Sequence, residues 1–357
     1  MIKVLVVDDS ATVREFLTHI LGTDPQVEVI GTASDGIEAL EAVKERQPDV
    51  ITMDIGMPKM SGLEATRIIM ESHPTPIVIV SGTLDGEGRA SFQALEAGAL
   101  AVLPRPAGIG HPNHEAAAKQ LVQTVKLMSE VKVVRRWSRN QEAEQARRVS
   151  PPTETWSGRT SVKIKVIAIG ASTGGPVVLQ RILSGLPKDY PVPVLIVQHI
   201  ADGFVQGFSE WLTQATGFPV QIAQHDEQIL HGRAYIAPDG FHTTVSSHRR
   251  IALLDSKPIN GLRPSVAALF RSVADNIGPE SAGVLLTGMG RDGADELKLL
   301  KESGAVTIAQ DKESSVIHGM PGEAIRLGAA TYVLPPERIA ALLKNLAEDS
   351  TLKVEGK

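Results

Sequence analysis

The chain of 357 residues contains no cysteine, which excludes a disulfide framework, a thiolate metal site and cysteine catalysis. It also lacks any apolar run long enough to span a bilayer. Met1-Ile2-Lys3-Val4 leads into a strand without the pattern of a signal peptide, so a soluble cytoplasmic protein with no direct membrane insertion is expected. Charge of one sign is missing too. Lys and Arg number 36 against 41 Asp and Glu, a net charge of -5 mixed along the chain, which is not the basic footprint of a nucleic-acid binder, and no such partner is expected. Internal repeats are absent. What is present is 42% hydrophobic residues and 32 glycines, enough for two or three globular domains with sizeable cores.

Short apolar runs at Val4 to Val7, Val27 to Thr32, Val50 to Asp54, Ile77 to Ser81 and Ala99 to Leu103 alternate with segments of helical period such as Ile37 to Lys44. This spacing predicts five βα units and a parallel five-stranded sheet covered on both faces, complete by residue 130. Residues 131–160 read as a linker with a helical charged part, Lys132 to Arg148, followed by the turn-forming Ser150-Pro151-Pro152-Thr153. A second alternating series over 161–350 predicts strands near Val166 to Ile169, Val194 to Gln198, Val220 to Ala223, Val284 to Thr287, Val306 to Ala309 and Ala330 to Leu334. Ala234 to Ala237, Thr243 to Ser246 and Arg250 to Leu254 read as antiparallel strands joined through Pro238-Asp239-Gly240, making this sheet mainly parallel with a short antiparallel section. Both domains are thus doubly wound α/β, and residues 351–357 form a tail.

In the first domain Asp8 and Asp9 end one strand, Asp54 a second and Ser81 a third, and Arg105 follows a fourth. Three carboxylates gathered on one sheet edge repel one another and call for a hard cation with oxygen ligands, such as Mg²⁺. The competing reading is that strand-end aspartates cap the helices after them. The runs Val4-Leu5-Val6-Val7-Asp8-Asp9-Ser10, Met53-Asp54-Ile55-Gly56-Met57-Pro58, Ser81-Gly82 and Pro104-Arg105-Pro106 resemble those of a response-regulator receiver domain. The resemblance implies that Asp54 accepts a phosphoryl group from a histidine kinase, that Asp8 and Asp9 help Asp54 hold Mg²⁺, and that Ser81 bonds the phosphate. Arg105 stands where that family usually carries lysine, and Val102 where an aromatic switch residue is common. Arginine meets phosphate oxygens as a planar fork and not as a point charge, so phosphorylation is implied but not the usual route of its transmission.

In the second domain the buried run Val166 to Ile169 leads through Gly170-Ala171 to Ser172, where a nucleophile would sit, and Pro176 opens a helix whose N-terminus faces it. Taken alone, a serine at a strand-to-helix turn is more often an N-cap. His199 ends the run Val194 to Gln198 on the same edge and supplies a base; Asp292, in Thr287-Gly288-Met289-Gly290-Arg291-Asp292-Gly293, would hold its tautomer. His199 could instead cap a strand, Asp292 could cap the helix Ala294 to Lys301, and His242 and His318 compete for the base role. The turn Gly170-Ala171-Ser172-Thr173-Gly174-Gly175 fits neither a dinucleotide fingerprint nor a P-loop, and lacks the nucleophile elbow of the common α/β hydrolases.

The runs Gly170 to Pro176, Val197 to His199, Thr287 to Gly293, Ala309 to Asp311 and Gly319 to Pro321 resemble the CheB-type chemotaxis protein-glutamate methylesterases. With the receiver, the resemblance covers nearly the whole chain except linker and tail. It implies a triad of Ser172, His199 and Asp292 and a substrate that is a glutamyl methyl ester on the cytoplasmic domain of a methyl-accepting chemoreceptor. It also implies deamidation of receptor glutamines at the same site and no catalytic cofactor. Backbone amides of Thr173 and Met289 are the expected oxyanion donors, and the chain is expected to be monomeric. A phosphorylatable module on a linker can pack over a neighbouring site, so control by phosphorylation is expected. Two other readings are a DNA-binding output domain, against which the lack of a basic face and of a helix-turn-helix pattern argues, and a scaffold whose second domain is catalytically inactive.

Overall fold

The structure, a computed structural model, describes residues 1–82, 87–131, 133 and 163–348. Apart from residue 133, which is not helical, the expected charged helix at 132–148 lies outside the described residues, as does the tail at 351–357. The chain divides into two compact units, Met1–Ser161 and Val162–Lys357.

The first unit alternates β1 (Ile2–Val7), α1 (Ala11–Leu21), β2 (Val27–Ala33), α2 (Gly36–Arg46), β3 (Val50–Met53), α3 (Gly62–Ser72), β4 (Ile77–Ser81), α4 (Glu87–Ala97), β5 (Ala101–Pro104) and α5 (His114–Ser129). The sheet order is β2-β1-β3-β4-β5 and every pairing is parallel. Val50 to Met53 are buried throughout, as a central strand covered on both faces requires. Asp35 and Ser61 cap α2 and α3 by accepting amides of the first turn, which fixes where these helices begin.

The second unit contains β6 (Val166–Ala171), α6 (Gly175–Ser184), β7 (Val194–Gln198), α7 (Val205–Thr216), β8 (Val220–Ile222), β9 (Ala234–Ile236), β10 (His242–Val245), β11 (Ile251–Leu254) and α8 (Val266–Asn276). It continues with β12 (Ser281–Leu285), α9 (Ala294–Glu302), β13 (Val306–Gln310), α10 (Met320–Arg326), β14 (Tyr332–Leu334) and α11 (Pro336–Glu348). Seven strands form one sheet in the order β14-β13-β12-β6-β7-β9-β8, all parallel. The expected antiparallel role of Ala234 to Ala237 is corrected: β9 runs parallel to both β7 and β8. Pro238-Asp239-Gly240 does not fold it back. With Gly240 at φ +75°, that turn carries the chain out of the main sheet into the separate antiparallel pair β10–β11. This pair packs on α8, where the Val245 amide donates to Ser272 Oγ at 3.0 Å.

From β6 the chain moves to β7 on one side, and from β12 to β13 on the other. The right-handed crossover rule therefore puts α6 and α9 on opposite faces and opens a crevice between the carboxyl ends of β6 and β12. Beneath it, Val166, Ala168, Leu195 and Val197 pack with Leu269, Phe270, Leu297 and Leu300 in one buried cluster.

Candidate active site

Ser172 directly follows β6, and its amide donates to the Thr287 carbonyl at 3.0 Å, so the turn that carries it is tied to the loop after β12 across the crevice. On its other side Ala171 is in register with Gln198, and the His199 amide donates to the Ala171 carbonyl at 2.9 Å. Ser172 and His199 thus stand on adjoining strand ends. Gly288 lets the third loop close on them: a Cβ there would fall 2.6 Å from Ser172 Cβ and 2.4 Å from Met320 Sδ.

Asp292 is 4% exposed, and His199 Nε2 lies 2.9 Å from its Oδ2. The carboxylate also accepts from Ser265 Oγ at 2.8 Å and from the amides of Val266 at 2.7 Å and Ala267 at 3.2 Å. Asp292 does not cap α9, whose N-cap is Gly293; it sits on the N-terminus of α8, where free amides favour negative charge. Burial pushes its carboxyl up, but His199, Ser265 and Val266 together outweigh burial and hold it below the ordinary carboxylate value. Asp292 is therefore ionised at neutral pH. Because Nε2 faces it, Nδ1 is the imidazole nitrogen left for Ser172. The hydrogen bonds of Ser172 among the described residues are made by its backbone, and catalytic hydrogen bonds in hydrolases often form only once substrate is bound.

His242 is buried in β10 with Nε2 3.2 Å from the Lys257 carbonyl. His318 forms a bridge with Gly288 and faces Ser315 Oγ at 3.3 Å, with burial and then Lys312 pushing its pKa down. Neither is paired with a carboxylate among the described residues, and His199 is. The amides of Thr173 and Met289 donate to no protein acceptor among the described residues, which leaves both available to a ligand oxygen. Sequence reasoning missed Ser265, although a serine before the apolar-periodic Val266 to Val273 is an N-cap pattern. It also missed Thr287, whose hydroxyl bonds the Thr173 and Ile317 carbonyls at 2.9 and 3.1 Å.

In the first unit, β1 and β3 are in register at Val7 and Met53, and the Asp54 amide donates to the Val7 carbonyl at 2.9 Å. This puts Asp8, Asp9 and Asp54 together, each offering an oxygen within 4.8 Å of the others, a set that fits a divalent cation. Ser81 is buried at the end of β4, and Arg105 donates its amide to the Ser81 carbonyl at 2.9 Å. Arg105 Nη2 reaches Asp8 Oδ2 at 2.9 Å and Asp54 Oδ1 at 3.4 Å, so one guanidinium nitrogen bridges two of the three carboxylates. Arg14, not singled out in the sequence, bonds the Asp8 and Asp9 carbonyls at 2.7 and 2.9 Å and fixes the turn that presents them.

Burial raises the Asp8 carboxyl above its ordinary value despite Arg105. A raised folded pKa means that folding takes up a proton, so stability falls as pH rises from the unfolded value of about 3.9 through the folded one. Asp8→Asn keeps the acceptor for the Ser10 amide and removes the penalty. Its receiver should melt at a higher temperature than wild type at pH 7.5, with the gain shrinking toward pH 4. A lower melting temperature in calorimetry at pH 7.5 would mean that the Arg105 ion pair outweighs burial.

Two family descriptions match the chain: CheB methylesterase over residues 167–343 and response regulator receiver domain over residues 4–111. A protein-glutamate methylesterase/protein-glutamine glutaminase of Geobacter metallireducens is 59% identical over 97% of this chain and 99% of its own length. One from Nitrosospira multiformis is 56% identical over 98% of each. The crystal structure of the Thermotoga maritima CheB methylesterase catalytic domain covers 52% of this chain and 100% of its own at 37% identity and a TM-score of 0.50. With receiver carboxylates on one sheet edge, a serine, histidine and aspartate on another, and such likeness along nearly its full length, the chain belongs to the family of chemotaxis protein-glutamate methylesterases/protein-glutamine glutaminases that carry a receiver domain.

Proposed function

We propose that Ser172, His199 and Asp292 form the catalytic triad of this methylesterase, acting on glutamyl methyl esters in the cytoplasmic domain of a methyl-accepting chemoreceptor. The observation that carries the reading is the His199–Asp292 pair at 2.9 Å, held on the N-terminus of α8, on the edge where Ser172 opens. His199 takes the Ser172 proton on Nδ1 as Oγ bonds the ester carbon. The oxyanion that forms is met by the Thr173 and Met289 amides. Methoxide departs with the proton from His199 as methanol, leaving Ser172 acylated by the glutamyl group. Water then gives a proton to His199 and its hydroxide to the acyl carbon, and Ser172 recovers its proton as the glutamate leaves. A glutamine side chain passes through the same acyl-enzyme with ammonia as leaving group.

The reading assigns residues 1–130 to the receiver, 131–160 to a linker and 161–350 to the esterase of a cytoplasmic monomer. Asp54 takes a phosphoryl group from the histidine kinase of the chemotaxis system. Asp8, Asp9 and Asp54 would hold Mg²⁺, which supplies charge neutralisation for the transferring phosphoryl group. Ser81 and Arg105 bond the phosphate, so Arg105 exchanges the two carboxylates it now bridges for phosphate oxygens.

The test is methanol release from a methylated receptor fragment by the full-length protein, with and without a small phosphodonor and Mg²⁺. Release should depend on Ser172, rise with phosphodonor, and lose that rise in Asp54→Asn. Release indifferent to phosphodonor would remove Asp54 as the switch, and no release would favour the inactive scaffold.

A further inference from the structure

Gln198 is 3% exposed at the end of β7, between the strand that carries the nucleophile and the base that follows it. Its Nε2 donates to the Ser172 carbonyl at 2.8 Å and to the His199 carbonyl at 2.8 Å, which fixes the orientation of the side-chain amide, since oxygen in that place would face two acceptors. The Ser172 carbonyl also accepts from the Gly175 amide at 2.8 Å. That carbonyl belongs to the same planar trans peptide unit as the Thr173 N–H, and in a trans peptide the two point in opposite directions. Whatever grips the Ser172 carbonyl from within the fold therefore aims the Thr173 N–H the other way.

We propose that Gln198 is a positioning residue whose buried amide, by holding the Ser172 carbonyl, directs the Thr173 N–H at the oxyanion of the ester intermediate. The proposal rests on the triad and oxyanion reading given above. It also explains Gly175. A Cβ on residue 175 would lie 2.1 Å from Gln198 Oε1, so only glycine lets the Gln198 head rest on the first turn of α6. Oε1 itself has no hydrogen-bond partner among the described residues. An acceptor left unpaired in the interior costs stability, which a side chain serving packing alone would avoid with an apolar head. The donating half of the amide is what the site uses.

Two variants test this by different routes. Gln198→Met keeps the length and removes the donor; Gly175→Ala keeps Gln198 and displaces its head, and its Cβ also presses on Ala171 Cβ, 2.8 Å away. The position needs no glycine for its backbone angle, as its φ is not positive. Loss of one oxyanion donor typically lowers kcat about 10²- to 10³-fold, and misdirecting one should approach the lower figure. Both variants, in the full chain, should show kcat for methanol release from a methylated receptor fragment down about 10²-fold with KM within about threefold of wild type. Thermal melting establishes that each is folded at the assay temperature. A folded Gln198→Met with kcat within about threefold of wild type overturns the proposal, as does a raised KM with kcat unchanged. Should Gln198→Met not fold, Gln198→Leu replaces it under the same criteria, and a folded Gly175→Ala with kcat within about threefold of wild type overturns the proposal. Wild type and Ser172→Ala run alongside. If wild-type release does not depend on Ser172, the esterase reading fails and takes this proposal with it. If it does and the variants match wild type, this proposal alone fails.

Discussion

Turnover of a methylated receptor fragment by Ser172→Ala is expected to fall about 10⁶-fold, to the level of water attack assisted only by the remaining site. The fold should be untouched. The hydrogen bonds that tie residue 172 to the structure are made by its backbone: the amide donates to the Thr287 carbonyl at 3.0 Å and the carbonyl accepts from Gln198 at 2.8 Å, and alanine keeps both. His199 and Asp292 remain paired, and the Thr173 and Met289 amides stay available. Affinity for the receptor fragment should therefore hold within about twofold while the rate collapses, the pattern of an interaction made only on the reaction path. A residual acceleration of about 10³-fold over uncatalysed hydrolysis would fit the surviving amides and bound substrate. Stopped assays of methanol release decide it. If the alanine protein keeps more than about 1% of wild-type kcat, the covalent route is wrong and His199 must activate water directly.

The strand ends were the most legible part of the chain, because a parallel strand buried on both faces writes itself as an unbroken apolar run and its site residues come directly after it. Asp54, Ser172 and His199 are read as candidates that way. Asp292 is a candidate by its motif and not by a strand end, since β12 stops at Leu285 and the residues between form a loop whose path is set by Gly288 fitting against Ser172. Its anchor was not legible at all: Ser265 and Val266 lie far back in the chain, and only the packing of α8 beside that loop brings their donors to the carboxylate. Strand order is non-local in the same sense. Nothing in Ala234-Tyr235-Ile236 says that its neighbours are β7 and β8 or that it runs parallel to them. Short apolar runs near a Pro-Asp-Gly turn fit a hairpin equally well, and the crossover at residues 223–233 carries no helix to mark it. What sets His199 apart from His242 and His318 is a contact, its pairing with Asp292, and not a pattern in the sequence.

Asp292→Asn is expected to lower kcat about 10⁴-fold while receptor binding persists, and the cause should be the tautomer of His199. In wild type an ionised Asp292 can only accept, so His199 Nε2 carries its proton and Nδ1 is free to take one from Ser172. An asparagine in the same place has one oxygen and one NH₂. Oδ1 accepts from the Ser265 hydroxyl and the Ala267 amide, while Oδ2 accepts from the Val266 amide and faces His199, so an asparagine that keeps its oxygen on the two donors of Oδ1 turns its NH₂ toward His199 and gives up the Val266 hydrogen bond. Nε2 must then accept, the proton moves to Nδ1, and the base is blocked on the side facing Ser172. The same change should cost stability with a definite pH dependence. Because the folded Asp292 pKa lies below the ordinary value, its stabilising contribution is fully present above the unfolded value of about 3.9 and is lost as pH falls through the folded one. The variant should therefore melt below wild type at pH 7 and converge on it toward pH 3. Nitrogen-15 chemical shifts of the His199 ring at neutral pH would show the proton on Nε2 in wild type and on Nδ1 in the variant. If the variant retains kcat within about tenfold of wild type, Asp292 serves as the cap of α8 and His199 works without an orienting carboxylate. A large loss of kcat with an unchanged His199 tautomer would point instead to the missing negative charge beside the imidazolium.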